Sequence, residues 1–155
     1  MGSGKSAVGS IVALRAGARF HDLDRMIEDE ARMPVADIFS SKGEAAFRTW
    51  EREILPRALE PGAVVALGGG AVMDDVNWDL VSARSIPLYL EVPFETIWQR
   101  IRANPSRPLI AGRTQADVEA LFEARRRRYE QAAHSVDGDR PIEVVADEVL
   151  KLWSA

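Results

Sequence analysis

The sequence predicts an α/β fold in which a parallel β-sheet is covered by helices on both faces. Short apolar segments, such as 63–67 and 86–90, alternate with longer helical patterns, which is typical of such a sheet. Two predicted strands end at residues suited to binding a ligand: carboxylates lie at 22 and 24, and glycines occupy 68–70. The chain also opens on a glycine-rich stretch that resembles a phosphate-binding loop. We therefore expect ligands to bind at the carboxyl ends of the strands.

The composition indicates one globular domain over residues 1–155. Hydrophobic residues make up 46% and charged residues 28% of the chain, and the net charge is −4, which argues against a general nucleic-acid binder. The chain has no cysteine, so disulfides and thiolate metal sites are excluded. No apolar run is long enough to cross a membrane, and the first residues have no apolar signal region. We expect a cytoplasmic monomer that binds neither nucleic acid nor membrane.

The segment Gly4-Lys5-Ser6 matches the closing half of the phosphate-loop pattern G-x-x-x-x-G-K-[ST]. Glycines allow backbone N–H groups to surround a phosphate, the lysine adds positive charge, and the serine hydroxyl can hold Mg²⁺. The first glycine of the pattern would fall two residues before Met1, and the sequence lacks the strand that should lead into the loop. A flexible Gly/Ser linker that contains a lysine is the alternative interpretation.

The first third of the chain predicts a helix, a strand and a second helix. The helix covers 5–15, has an apolar side that includes Leu14, and ends at Gly17. The strand runs from Arg19 into Asp22 and Asp24, which then share one face because strand residues alternate. One of these carboxylates can instead cap the helix that follows, and the two roles are compatible.

The middle of the chain predicts a glycine turn at the end of a buried strand. A short helix at 34–40 precedes a capping box, Ser41-x-x-Glu44, that opens a helix through Ile54, and Pro56 helps to close this region. The apolar strand 63–67 then enters Gly68-Gly69-Gly70, where bare backbone leaves room for a ligand. A tight turn is the alternative. The remaining predicted elements are helix 77–83, strand 86–91, helix 94–103, a lid loop at about 104–116, a helix capped by Thr114-x-x-Asp117 through Glu130, strand 135–137 and helix 141–153.

Taken together, these motifs resemble shikimate kinase, a small P-loop kinase. The matching stretches span essentially the whole chain in family order: Met-Gly-Ser-Gly-Lys-Ser, Asp22-Leu23-Asp24, Ile38-Phe39, Gly43-Glu44 with Phe47-Arg48, Gly68-Gly69-Gly70-Ala71-Val72, Arg107-Pro108-Leu109, and Arg125-x-x-x-Tyr129 before Ala132 or Ala133. The resemblance implies a P-loop NTPase fold with five parallel strands and a mobile lid. It also implies transfer of the γ-phosphate of ATP to the 3-hydroxyl of shikimate, with Mg²⁺.

The resemblance assigns roles residue by residue. Asp24 would bind the acceptor hydroxyl and assist its deprotonation, and Lys5 and the lid residue Arg107 would reach the ATP phosphates. Ser6 and Asp22 would hold Mg²⁺. The expected ATP neighbours are Gly2, Ser3, Gly4, Lys5, Ser6, Ala7, Arg100, Arg107 and Arg140. The expected shikimate contacts are Asp24, Arg48, Gly69, Gly70 and Arg125.

The absent strand is the main departure from the family pattern, because that strand lies in the middle of the family's sheet. Without it, the neighbouring strands lose a hydrogen-bond partner, and unpaired buried backbone is costly. We therefore expect this chain to have low stability and low activity, and we expect an upstream strand to restore both. A start codon placed too far downstream or a trimmed chain would account for the difference.

Several alternatives stay open from the residues alone. Arg48 can simply pair with Glu44 or Glu51, and the residues 126–128 read as surface charge. The chain could also be another small-molecule P-loop kinase, such as a gluconate-type enzyme. A regulatory module that binds ligand without turnover is the third interpretation, although Lys5, Asp24 and Arg107 are all retained, which favours an enzyme.

Overall fold

Helices and short parallel strands alternate along residues 2–103 and 112–153, the part of the chain that this computed structural model describes. The described strands are β1 (Arg19–Asp22), β2 (Ala63–Ala66), β3 (Leu88–Glu91) and β4 (His134–Asp137). The described α-helices are α1 (Lys5–Ala16), α2 (Leu23–Ala31), α3 (Val35–Ala58), α4 (Asp75–Arg84), α5 (Phe94–Arg102), α6 (Gln115–Tyr129) and α7 (Ile142–Trp153). The predicted α/β fold with parallel strands is confirmed.

The strands form two separate pairs. β1 runs parallel to β2, with Asp22 opposite Ala66, and β3 runs parallel to β4, with Glu91 opposite Asp137. No described strand pairs with the remaining edge of β2 or of β3. A cavity of about 470 Å³ separates these two edges, and we call it the central slot. The slot agrees with the prediction that the central strand of a five-stranded sheet is absent.

Apolar side chains line the central slot from both sheet pairs and from the helices. The lining includes residues 63–67 of the β2 segment and residues 88–90 of β3. Val8 and Val12 of α1 contribute from one face, and Val149 of α7 also borders the slot. The slot therefore has the apolar walls and the two open strand edges that a buried parallel strand requires.

The core lies in separate clusters on either side of the slot. One cluster joins α2 and α3 through fully buried residues such as Leu23, Ile27 and Ile54. A second joins α1, α7, β3 and β4, and a third joins α5 to α6. Leu14 does not share the buried face of α1 and is 82% exposed, which corrects the predicted apolar side of that helix.

Two predicted boundaries are wrong in the first half of the chain. β1 ends at Asp22 and α2 begins at Leu23, so Asp24 lies in the first turn of a helix and does not share a strand face with Asp22. The predicted capping box at Ser41 does not form, because the Ser41 hydroxyl donates to the Asp37 carbonyl, but the predicted division of this region into two helices is present as a break within α3. That helix is kinked at Gly43, where φ is 83°, a backbone angle that favours glycine.

Several later boundaries agree with the sequence. Gly17 ends α1 in a left-handed conformation. Thr114 caps α6 with the predicted reciprocal bonds to Asp117. Pro56 lies inside the last turn of α3 and does not end it. Within the described residues, no helix combines the length and apolar character needed to span a membrane.

Candidate active site

The phosphate-binding loop is a turn of left-handed glycines in front of α1. Gly2 and Gly4 both have positive φ angles, of 63° and 89°, and Gly4 caps the helix that starts at Lys5. A side chain at position 2 would also meet the Ile101 methyl group at 2.8 Å. The Arg100 guanidinium on α5 donates to the Gly2 carbonyl at 3.3 Å. The amino end of α1, which carries the positive end of the helix dipole, therefore directly follows this turn.

Asp22 connects this loop to the next helix. Its Oδ1 accepts from the backbone N–H of Asp24 at 3.1 Å and caps α2, while its Oδ2 accepts from the Ser6 hydroxyl at 2.5 Å. The two compatible roles predicted for a carboxylate here are therefore combined in Asp22. Ser6 and Asp22 place two oxygen donors together, which is the donor type that Mg²⁺ prefers.

Asp24 carries a carboxylate oxygen that has no hydrogen-bond partner. Its Oδ1 is shielded from solvent and unpaired within residues 2–103 and 112–153. Burial raises the pKa of the Asp24 carboxyl, the nearby charge of Asp22 raises it further, and the charge of Lys5 opposes both. A carboxylate in such a position can accept a proton from a bound hydroxyl group.

Arg48 reaches the glycine turn from α3. Its Nη1 donates to Glu51 at 2.6 Å and its Nη2 to Glu44 at 2.8 Å. Both pairings that the sequence left open are thus present in the ligand-free site. The guanidinium lies so close to Gly70 that a Cβ there would be 2.4 Å from Nη2. A side chain at position 70 would therefore displace the Arg48 guanidinium.

Glu51 is the residue that sequence reasoning underrated. It is fully buried, and its Oε1 has no partner among the described residues. Burial raises the pKa of the Glu51 carboxyl, whereas the hydrogen bond and charge of Arg48 oppose the shift. A Cβ on Gly68 would lie 3.2 Å from Glu51 Oε1 and 2.9 Å from Asp24 Oδ1, so both unpaired oxygens face the same glycine. The signal in the sequence was helical spacing, because Phe47, Glu51 and Ile54 share the buried face of α3.

Arg125 and Tyr129 approach the glycine turn from α6. Arg125 is 6% exposed, and its Nη1 has no partner in the described part of the chain. The Tyr129 hydroxyl donates to the Gly69 carbonyl at 2.8 Å. Asp24, Glu51 and Arg125 each therefore present an unpaired, shielded polar atom in this region.

Not every predicted site residue joins this arrangement. Arg140 pairs with Glu148 and with Asp137, and its ATP contact stays a prediction. Arg107 lies outside the described residues. In the run that follows Arg125, Arg126 is an exposed partner of Glu130, whereas Arg128 pairs with Asp75 and lies over the Trp78 ring.

The comparisons with known proteins identify the family of this chain. The shikimate kinase family model matches residues 1–153, which is nearly the full chain. The chain belongs to the shikimate kinase family. A shikimate kinase from Salinibacter ruber is 39% identical over 166 residues, covering 100% of this chain and 81% of that protein. One from Persephonella marina is 37% identical over 153 residues, covering 97% and 92%. Members of the family are ATP-dependent kinases, and this chain is an ATP-dependent kinase of that family.

Solved structures of the family have the same fold. A shikimate kinase from Acinetobacter baumannii in complex with shikimate aligns with a TM-score of 0.94 and 30% identity, covering 99% of this chain and 88% of that one. The Aquifex aeolicus shikimate kinase gives a TM-score of 0.88 and 32% identity, covering 99% and 92%. A gluconokinase from Sinorhizobium meliloti is only 17% identical, with a TM-score of 0.61 and coverage of 97% and 85%, and shares the fold alone.

The buried carboxyl of Glu51 predicts a pH-dependent stability for this shikimate kinase. The unfolded chain loses the Glu51 proton near the ordinary value of 4.5, whereas the folded chain keeps it to a higher pH because burial raises its pKa. The folded state then holds more protons in that window, so the free energy of unfolding falls as pH rises through it. As the pH rises above 4.5, we expect the free energy of unfolding to fall less for Glu51→Gln than for the wild type. Denaturant titrations at several pH values measure this.

Glu44→Gln is the matched control for this variant, because it removes the other carboxylate that pairs with Arg48, and that one is exposed. The control is expected to keep the slope of the wild type. Parallel stability curves for the wild type and Glu51→Gln would contradict the prediction.

Proposed function

We propose that this chain transfers the γ-phosphate of ATP to the 3-hydroxyl of shikimate, with Mg²⁺, to give shikimate 3-phosphate and ADP. The observation that carries this proposal is the set of shielded, unpaired polar atoms on Asp24, Glu51 and Arg125 beside the glycine turn. Such atoms are costly without a partner, and a ligand with hydroxyl groups and a carboxylate would satisfy them. Phosphoryl transfer then needs positioning and charge neutralisation on the other side of the site.

The ATP phosphates would bind in the loop before α1. The glycine turn offers backbone N–H groups, and Lys5 adds a charge at the start of the helix. Arg100 supports the loop through its bond to Gly2 and is the α5 residue that we propose as a nucleotide neighbour. Because Arg107 belongs to the Arg-Pro-Leu motif, we propose that it reaches the phosphates from the lid. The full proposed ATP site is Gly2, Ser3, Gly4, Lys5, Ser6, Ala7, Arg100, Arg107 and Arg140.

The proposed Mg²⁺ ligands are the Ser6 hydroxyl and the Asp22 carboxylate. Their contact of 2.5 Å brings two hard oxygen donors to the phosphate loop, which fits the ion. Among the described residues there is no cluster of three or more His, Cys, Asp or Glu side chains that could hold a metal. When bound, the ion would neutralise charge on the phosphate oxygens.

Asp24 is the proposed proton acceptor. In the reaction, the oxygen of the acceptor hydroxyl bonds to the γ-phosphorus as the bond from that phosphorus to the bridging oxygen of ADP breaks. The hydroxyl proton passes to the unpaired oxygen of Asp24. Lys5 lies close enough for its charge to act on this carboxyl, so the phosphate side and the acceptor side of the site are adjacent.

Arg48 and Arg125 are the proposed clamp for the substrate carboxylate, together with the backbone N–H groups of Gly69 and Gly70. Guanidinium groups bind carboxylates through paired, planar hydrogen bonds, and two of them converge on the glycine turn from α3 and α6. The buried Nη1 of Arg125 has no partner and is available to such a ligand. Glu44 and Glu51 hold the Arg48 guanidinium in place before the ligand arrives.

The primary test is ADP release in the presence of ATP, Mg²⁺ and shikimate, with gluconate as the comparison substrate. We expect release with shikimate and none above background with gluconate. Tight binding of shikimate without phosphate transfer, in this chain and in a form that carries an added strand, would favour the regulatory module instead.

Arg48→Lys tests the carboxylate clamp. Lysine keeps the charge but loses the planar pair of donors, so we expect the KM for shikimate to rise roughly 10- to 100-fold while the KM for ATP stays unchanged. Steady-state kinetics with each substrate varied in turn measures this. Arg52→Lys is the matched control, because Arg52 lies on the same helix but pairs with Asp74 outside the site. A similar rise in both KM values would contradict the assignment.

The remaining parts of the proposal concern the setting in which the enzyme works. We propose a monomer in the cytoplasm that needs neither nucleic acid nor a membrane. The net charge of −4 supports the absence of a nucleic-acid partner. Light scattering coupled to size exclusion measures the oligomeric state, and a mass near twice that of the chain would overturn the monomer.

A further inference from the structure

The proposed mechanism assigns no role to the hydroxyl of Tyr129. It donates to the Gly69 carbonyl at 2.8 Å, which joins α6 to the glycine turn after β2. The Tyr129 ring packs against Tyr89 of β3, with ring centroids 5.5 Å apart. The Tyr129 ring is therefore packed against the β3–β4 pair. Its hydroxyl is bonded to the loop that follows β2, in the β1–β2 pair.

The same hydroxyl faces Arg125. Burial raises the pKa of Tyr129, while the charges of Arg125 and Arg48 oppose the shift. Both arginines of the proposed clamp therefore lie close to this phenol. Arg125 keeps Nη1 unpaired, so contact with Tyr129 leaves that atom available.

The planarity of the peptide bond gives the Tyr129 contact a directional effect. In a trans peptide, the carbonyl of Gly69 and the N–H of Gly70 belong to one plane and point in opposite directions. A donor that holds the Gly69 carbonyl toward α6 therefore holds the Gly70 N–H away from α6. Arg48 packs directly against Gly70, so this peptide group is bounded by side chains from both α3 and α6.

We propose that Tyr129 is a positioning residue for the carboxylate site, because its hydroxyl fixes the peptide group between Gly69 and Gly70. This inference rests on the proposed function and deepens it, since it assigns the geometry of the clamp to a residue that does not itself bind the substrate. Loss of the hydroxyl frees the peptide group to rotate. Binding of the substrate carboxylate then weakens, whereas the phosphate loop, on the other side of Asp24, is unaffected.

The test compares Tyr129→Phe with Tyr89→Phe in the full chain. Both variants keep the packed ring pair and each lacks one hydroxyl, but only the first lacks the bond to Gly69. Hydrogen–deuterium exchange of the peptide that covers residues 67–72, without any ligand, reports directly on the glycine turn. Calorimetric titration with shikimate and steady-state kinetics report on the site.

For Tyr129→Phe we expect faster hydrogen–deuterium exchange at residues 68–71. We also expect the affinity for shikimate to fall and the KM for shikimate to rise, each about tenfold, which is the size of effect expected from the loss of one hydrogen bond. We expect the KM for ATP to stay within about twofold of the wild type, because the phosphate loop makes no bond to Tyr129. Tyr89→Phe is expected to match the wild type in all of these measurements.

Unchanged exchange in Tyr129→Phe would overturn the inference, and so would an equal loss in Tyr89→Phe or a parallel rise in both KM values. A wild-type chain that neither binds nor phosphorylates shikimate would instead overturn the proposed function. In that case the exchange measurement still decides whether Tyr129 positions the turn.

Discussion

A chain extended upstream of Met1 by a strand of about five apolar residues is expected to melt roughly 10 °C higher than the present chain. The central slot offers two unpaired strand edges and apolar walls, so an inserted parallel strand gains hydrogen bonds on both sides and buries its side chains. After the entropy of ordering, this stabilises by on the order of 3 kcal/mol.

The same extension is expected to raise shikimate turnover at least about tenfold, because displacement of a catalytic group by 1 Å can cost a hundredfold in rate. The inserted strand would fix the position of Gly2 and the loop that follows it. Calorimetry and ADP release measure the two effects. An extension of equal length made of glycine and serine is the control, since it cannot fill an apolar slot. Equal melting temperature and equal turnover for the extended and present chains would refute the prediction.

Asp24→Asn is expected to reduce turnover by about 10²- to 10⁴-fold, the usual contribution of a positioned proton acceptor. The amide keeps the shape of the side chain but cannot take the hydroxyl proton. The KM values for ATP and shikimate are expected to change far less than kcat, because the amide can still form a hydrogen bond to the substrate.

The same substitution is expected to raise the melting temperature at neutral pH. Burial and the neighbouring Asp22 raise the pKa of Asp24, which means that its ionised form is less favourable in the folded chain than in the unfolded chain. A neutral amide removes that cost, so stability and activity change in opposite directions. Asp29→Asn, an exposed carboxylate on the same helix, is the control and should change neither. A fall in both melting temperature and turnover would indicate misfolding and contradict the assignment.

Local patterns in the sequence predicted the fold class and most elements correctly. Apolar runs after turn residues identified β2 and β3, and Thr114 with Asp117 marked the start of α6 because a capping box is a purely local interaction. The failures occurred where distant contacts decide the outcome. β1 stops at Asp22 because that carboxylate serves α2 and Ser6 at once, and Ser6 lies 16 residues earlier.

The candidate site was predictable in its parts but not in its contacts. The order of the motifs selected Asp24, Arg48, the glycines and Arg125, and all of them lie around one turn. The partners of Arg48 could not be ranked from local spacing, since Glu44 and Glu51 both lie within one helical turn and both bind it. The bond from Tyr129 to Gly69 joins residues 60 positions apart, so no local pattern could indicate it.

Asp22 couples the position of the phosphate loop to the position of the helix that carries Asp24. One of its oxygens holds the phosphate loop through Ser6, and the other holds the first turn of the helix that carries Asp24. The proposed phosphoryl-donor side and the proposed hydroxyl-acceptor side are thus joined by a single carboxylate, whose two oxygens keep a fixed distance from each other. A loop that shifts must take Asp24, the proposed proton acceptor, with it, so under the proposed mechanism any gain in phosphate binding obtained by moving this loop would be matched by a loss of alignment at the hydroxyl.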